Sequence, residues 1–147
     1  MEEKELFETH KILLEKQESL KVVAFAYIQR VLNSPFFPIV LAADSSNIYI
    51  YNDDVADDIK NDRYVFNIKE TLRPSEFKYI VHETFKIDRE YKNYGRLGFI
   101  YLDEEKENID IFYRKMDKKE MKYFLRYIKK IGFKIKRKKT KRYRYFI

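Results

Sequence analysis

The sequence predicts an α+β domain: a single layer of mostly antiparallel sheet, five or six strands, packed by about three helices, the first long and N-terminal. Three observations carry this expectation. The first thirty or so residues hold an apolar seam of 3.5-residue period. Several short apolar or alternating runs follow, joined by short polar turns of the hairpin kind. Aromatic residues make up 17% of the chain, with only three Gly and three Pro, which favours one ordered domain over a solvated chain.

Taken in order, residues 1–33 form the expected N-terminal helix. Leu6, His10, Leu13, Gln17, Leu20, Ala24, Tyr27 and Val31 are spaced alternately four and three apart. Leu6, Leu13, Leu20 and Tyr27 form the strong half of that seam and are the candidate interface residues. Residues 20–28 are apolar almost all round, so strand and helix both remain open there. Asn33-Ser34-Pro35 is a stop signal. Residues 37–147 form the expected α+β core. Phe37 to Ala43 is a continuous apolar run, read as a buried strand. Asp44 to Asn47 is turn chemistry, and Ile48 to Tyr51 completes a hairpin. Tyr64, Phe66 and Ile68 alternate within a strand at 63–69. Pro74 suits the first turn of a helix whose apolar face is Phe77, Ile80, Val81, Thr84 and Phe85, running to about residue 90. Asn93-Tyr94-Gly95 reads as a break. Leu97–Leu102 and Ile109–Tyr113 are strands around the acidic turn at 103–108. A helix then follows, with capping-box spacing at Asp117 and Glu120, an apolar face of Met121, Phe124, Leu125, Ile128 and Ile131, and Gly132 as its C-terminal cap.

The net charge of +7 is unevenly spread. Residues 134–147 hold eight basic residues and no acidic one, while the rest of the chain holds 23 basic against 24 acidic. In an extended conformation Phe133, Ile135, Tyr143, Tyr145 and Ile147 share one face, so this end is expected to be a strand, or a hairpin turning at 138–140. The candidate polyanion-binding residues are Lys118, Lys122, Arg126 and Lys129 on the helix. Lys134, Lys136, Arg137, Lys138, Lys139, Lys141, Arg142 and Arg144 on the last segment complete the set. Lys and Arg neutralise phosphates, and tyrosines stack on bases. The competing structural reading is a sheet edge charged against aggregation.

Other chemistry has weaker footing. The absence of Cys removes disulfides, thiolate metal sites and cysteine nucleophiles. Asp53, Asp54, Asp57, Asp58 and Asp62 read as a solvated acidic turn, with a divalent-metal site as the alternative. His10 and His82 have no local partner for a metal motif. Glu76-Phe77-Lys78 matches part of a nuclease pattern only by letters. No metal, cofactor or catalytic residue is therefore assigned. The leading expectation is a small, non-enzymatic nucleic-acid-binding or regulatory accessory protein, with DNA, RNA or another polyanion as partner. A homo-oligomeric interaction module built on the N-terminal helix is second, and a metal-dependent nuclease third. The Lys- and Glu-rich, Gln-poor composition is thermophile-like and would fit a viral or archaeal source. No signal or membrane-spanning pattern is seen, so the expected location is cytoplasmic.

Overall fold

A computed structural model describes residues 19–29, 36–52, 61, 68–85 and 93–140. Eight strands form one sheet: β1 (Val22–Gln29), β2 (Phe37–Ala43), β3 (Ile48–Asn52), β4 (Ile68–Leu72), β5 (Phe77–Phe85), β6 (Asn93–Tyr101), β7 (Ile109–Arg114) and β8 (Ile135–Thr140). Among the described residues the one α-helix, α1 (Lys118–Lys130), lies between β7 and β8. The strand order is β4-β3-β2-β1-β7-β6-β5-β8, antiparallel throughout except for the parallel pair of β5 with β8. Among the described residues the fold is thus a large sheet with a single helix, not five or six strands under about three helices.

The expected long N-terminal helix fails where it is described. Residues 22–29 are β1, pairing with β2 on one side and β7 on the other. Ala24, Ala26 and Ile28 join the main core, while Val23 and Phe25 join a second cluster with Leu20, Val40, Ala42 and Tyr51. A strand buried on both faces loses its two-residue polar alternation and looks like an all-apolar helix segment. The rest of the proposed seam, including Leu6 and Leu13, lies outside the described residues.

The helix expected after Pro74 is also corrected. Pro74–Glu76 is a single 3-10 turn, and Phe77 onward is strand. Register shifts between Phe77 and Tyr79. That bulge places Phe77 and Ile80, three apart, in the same core, which mimics helical spacing. Asn93-Tyr94-Gly95, expected to break the chain, lies inside β6. Of the strand expected at 63–69 only Ile68 and Lys69 are described, at the start of β4 (Ile68–Leu72), and residues 62–67 lie outside the description.

Other elements match. β2 and β3 form the expected hairpin, and Asp44 Oδ1 accepts the Ser46 and Asn47 N–H groups at 2.8 Å each. β6 and β7 flank the acidic turn. Helix α1 buries Met121, Phe124, Leu125 and Ile128. It ends as Gly132 predicts: Gly132 has φ +115°, its N–H reaches Lys129 O, and the Phe133 N–H reaches Ile128 O at 3.1 Å. The capping box does not form. The Asp117 carboxylate instead accepts from Arg114 Nε at 3.1 Å, and Glu120 Oε1 accepts the Phe25 N–H at 2.9 Å, tying the helix to β1. Phe133 closes the core, and β8 then runs straight through 138–140 beside β5. The hairpin expected there is absent, and residues 141–147 lie outside the description. Among the described residues no helix is long and apolar enough to cross a membrane.

Candidate anion-binding pocket

Strand β8 and helix α1 stand as facing walls of a cavity of about 380 Å³. The parallel pairing sets His82 beside Arg137 and Thr84 beside Lys139. Alternation then turns Ile135, Arg137 and Lys139 toward the helix side. Helical spacing turns Lys118, Lys122, Arg126 and Lys129 toward β8. All six of these Lys and Arg side chains line the cavity, as does Lys138, and no carboxylate does among the described residues. Lys138 is less available, because its ammonium lies 3.8 Å from the buried Glu83.

The floor is neutral. It consists of His82 and Thr84 from β5, Tyr94 from β6 and Tyr113 from β7, with Leu125 and Ile135 between. His82 Nε2 lies 2.6 Å from the Tyr113 hydroxyl. Burial, then the positive charges of Arg137 and Lys129, lower the His82 pKa to about 4, so the ring is uncharged at neutral pH. Burial, reinforced by Tyr94, raises the Tyr113 pKa well above its ordinary value and keeps its proton on. Tyr94 also carries the Lys118 ammonium over its ring, 5.1 Å from the centroid.

Gly95 makes this floor possible. A Cβ at that position would clash with Cζ, Cε1 and Oη of Tyr113. Gly95→Ala is expected to displace Tyr113, break its contact with His82 and cost about 1–3 kcal/mol. Thermal unfolding and the Tyr113 ring resonances in NMR check this, and an unshifted ring would refute it.

The structure brings together seven of the twelve sequence-predicted basic residues. Lys134 is exposed at the head of β8, and Lys136 points to the other face, over the Tyr79 ring at 4.1 Å. Lys141, Arg142 and Arg144 lie outside the described residues. Of the proposed interface residues, Leu20 is buried, and Tyr27 lies in β1 with the Arg114 guanidinium 5.4 Å from its ring. Sequence reasoning named His82 only as lacking a metal partner and gave Thr84, Tyr94 and Tyr113 no binding role, because Ile80-Val81 and His82-Glu83-Thr84 show no polar–apolar alternation.

Elsewhere several ionic groups pair with one another. Glu76 pairs with Arg73 at 3.3 Å and Lys106 at 3.7 Å, and Lys78 with Glu104 at 3.8 Å, so Glu76-Phe77-Lys78 does not converge as a nuclease site. Among the described residues no three His, Cys, Asp or Glu gather to hold a metal. The acidic cluster of Asp53, Asp54, Asp57, Asp58 and Asp62 lies outside them.

No protein-family model matches the chain, and no curated protein matches it by sequence. Solved structures do resemble it. One is the Vav1 exchange factor, from a study of its PH and C1 domains: 12% identity, TM-score 0.52, covering 85% of this chain and 32% of that one. Another is Vav1 bound by an allosteric inhibitor, with 16% identity, TM-score 0.51 and coverage of 85% and 23%. A third is the hSac2 domain of the human phosphoinositide phosphatase Sac2, with 12% identity, TM-score 0.50 and coverage of 96% and 92%. This chain therefore spans a third or less of the Vav1 chains and nearly all of the hSac2 domain. At such identities the likeness is one of fold. It corrects the expectation of a nucleic-acid-binding accessory protein. The chain folds like domains of an exchange factor and a lipid phosphatase, and its basic residues curl around a small cavity.

Proposed function

We propose that this chain is a binding module whose pocket between α1 and β8 holds a small, phosphate-rich anion of the phosphoinositide-headgroup kind. The observation that carries the reading is the cationic lining around a cavity without a carboxylate. Its volume suits a ring-sized ligand. Arg126 and Arg137 offer planar forks for phosphate oxygens, and the lysines offer point charges. The neutral floor suits the hydroxyls of a polyol.

A lipid source is favoured by the helix itself. Met116 and Tyr123, 48% and 53% exposed, sit just before and within the segment that carries Lys119, Lys122, Arg126 and Lys130. Basic helices with exposed apolar and aromatic residues lie well against anionic bilayers. One structure of similar fold comes from a phosphatase named for phosphoinositides, which supports the same ligand class.

The test has two arms. Calorimetry with soluble inositol polyphosphates is expected to give dissociation constants of about 1–100 µM. Sedimentation with phosphatidylcholine vesicles is expected to retain the protein only when a phosphoinositide is added. Soluble binding without vesicle binding would reject the lipid source. Equal affinity for linear polyphosphate and for the inositol compounds would reject a shaped pocket, and no binding in either arm would reject the function.

A further inference from the structure

We infer that this pocket takes up a proton together with its anion, and that His82 is the group that accepts it. The inference rests on the pocket being the ligand site, and it adds a regulation of that site by pH.

The geometry is that of a neutral base at the bottom of a cationic well. On its own strand His82 has Thr84 as its neighbour on the pocket face, while Glu83 points to the opposite face, paired with Arg96 at 3.1 Å. From β7 it meets the Tyr113 hydroxyl, and from β6 Tyr94 flanks Tyr113 with ring centroids 5.9 Å apart. From α1 Lys129 faces it, with Lys122, Arg126 and Lys118 along the same wall. From β8 come Arg137, Lys138 and Lys139. His82 is the one lining residue, among the described residues, whose side chain ordinarily titrates between pH 5 and 8.

In the free protein burial, and after it the positive charges of Arg137 and Lys129, hold His82 neutral. An anion bound between the walls offsets that charge and restores the proton's stability. Protonation also fixes the direction of the hydrogen bond at the floor. With both ring nitrogens carrying hydrogen, Nε2 donates to Tyr113 Oη, and the Tyr113 O–H is left to donate into the cavity. The bound anion thereby gains a positive charge and a hydroxyl donor together.

The sign follows from linkage. The bound state holds more protons than the free state, so affinity rises as pH falls. It rises by at most tenfold per pH unit, between the bound and free midpoints. If the anion restores an ordinary histidine midpoint from the free value of about 4, binding at pH 5 is about 30-fold tighter than at pH 8.

The probe must not titrate itself, which excludes phosphate monoesters. Inositol hexakissulfate keeps its charge over the whole range. Calorimetry at pH 6 in buffers of different ionisation enthalpy is expected to show uptake of a sizeable fraction of one proton per site. His82→Gln is expected to bind without that uptake and with flat pH dependence. An NMR titration of the wild-type His82 ring is expected to show its midpoint moving up by two or more units when the probe is bound, and it needs no variant. Binding without proton uptake, uptake that persists in His82→Gln, or an unmoved midpoint would overturn the inference while leaving the pocket reading intact. No binding at any pH would overturn the pocket reading and the inference with it.

Discussion

Reversing charge on both walls of the pocket at once, with Lys122→Glu and Arg137→Glu, is expected to weaken binding of a soluble inositol polyphosphate by at least about 100-fold, because two charge-assisted contacts are lost and repulsion replaces each. Lys122 projects from α1 and Arg137 from β8, so each wall loses one cation. Both side chains are exposed, so the fold is expected to survive, which circular dichroism checks. The control is Lys134→Glu with Lys136→Glu, the same change in net charge on the same segment. Lys134 is not among the lining residues, and Lys136 lies over Tyr79 on the opposite face. That pair is expected to change affinity by no more than about threefold, through long-range field alone. Equal losses in the two double variants would show that net charge, and not a pocket, holds the anion. Calorimetry at about 150 mM salt is the right measurement, since low salt would inflate the control.

The comparison of these two pairs also marks how far the sequence could be read. The concentration of charge at the C-terminal end was plain, and so was the basic stripe of α1, because helical period and cap signals agree there. What the letters of 134–139 do not show is a parallel partner 55 residues earlier in the chain. β8 pairs with β5, and that pairing turns Arg137 and Lys139 inward while Lys136 turns away. The floor was hidden by a second effect. β1 is buried on both faces, and a bulge in β5 sets Phe77 and Ile80 three apart in one core, so neither shows polar alternation along its whole length. Their apolar letters at spacings of three and four then satisfied a helical template. His82 consequently seemed to lie mid-helix, with no way to meet Tyr113. Tyr94-Gly95 looked like a break because Gly is rare inside strands. In the fold, Gly95 is there to admit the Tyr113 ring.

Among the described residues, Glu83→Ala is expected to be the most destabilising polar substitution. The Glu83 side chain is fully buried on the face of the sheet away from the pocket. One oxygen accepts from Arg96 Nε at 3.1 Å, and the other lies 3.8 Å from Lys138 Nζ. Arg96 continues to Asp110, so a chain of charges crosses β8, β5, β6 and β7. Truncation leaves Arg96, itself nearly buried, with Asp110 but without the buried carboxylate. Breaking such a pair from one side costs about 3–5 kcal/mol. For a domain of this size that lowers Tm by roughly 8–15 °C. Glu83→Gln, which keeps the shape and one acceptor, is expected to lose less. Replacing Glu83 and Arg96 together by leucine is expected to recover part of the loss, because no stranded charge remains. The effect should also reach the binding site. Glu83 anchors Lys138, and Lys138 belongs to the strand that forms one wall, so the alanine variant is expected to show faster amide exchange along β8 and weaker anion binding. A drop in Tm of less than about 3 °C would mean that the strand pairing of β5 with β8 and β6 holds this edge without the ion pairs. Unchanged exchange along β8 would separate the network from the pocket wall.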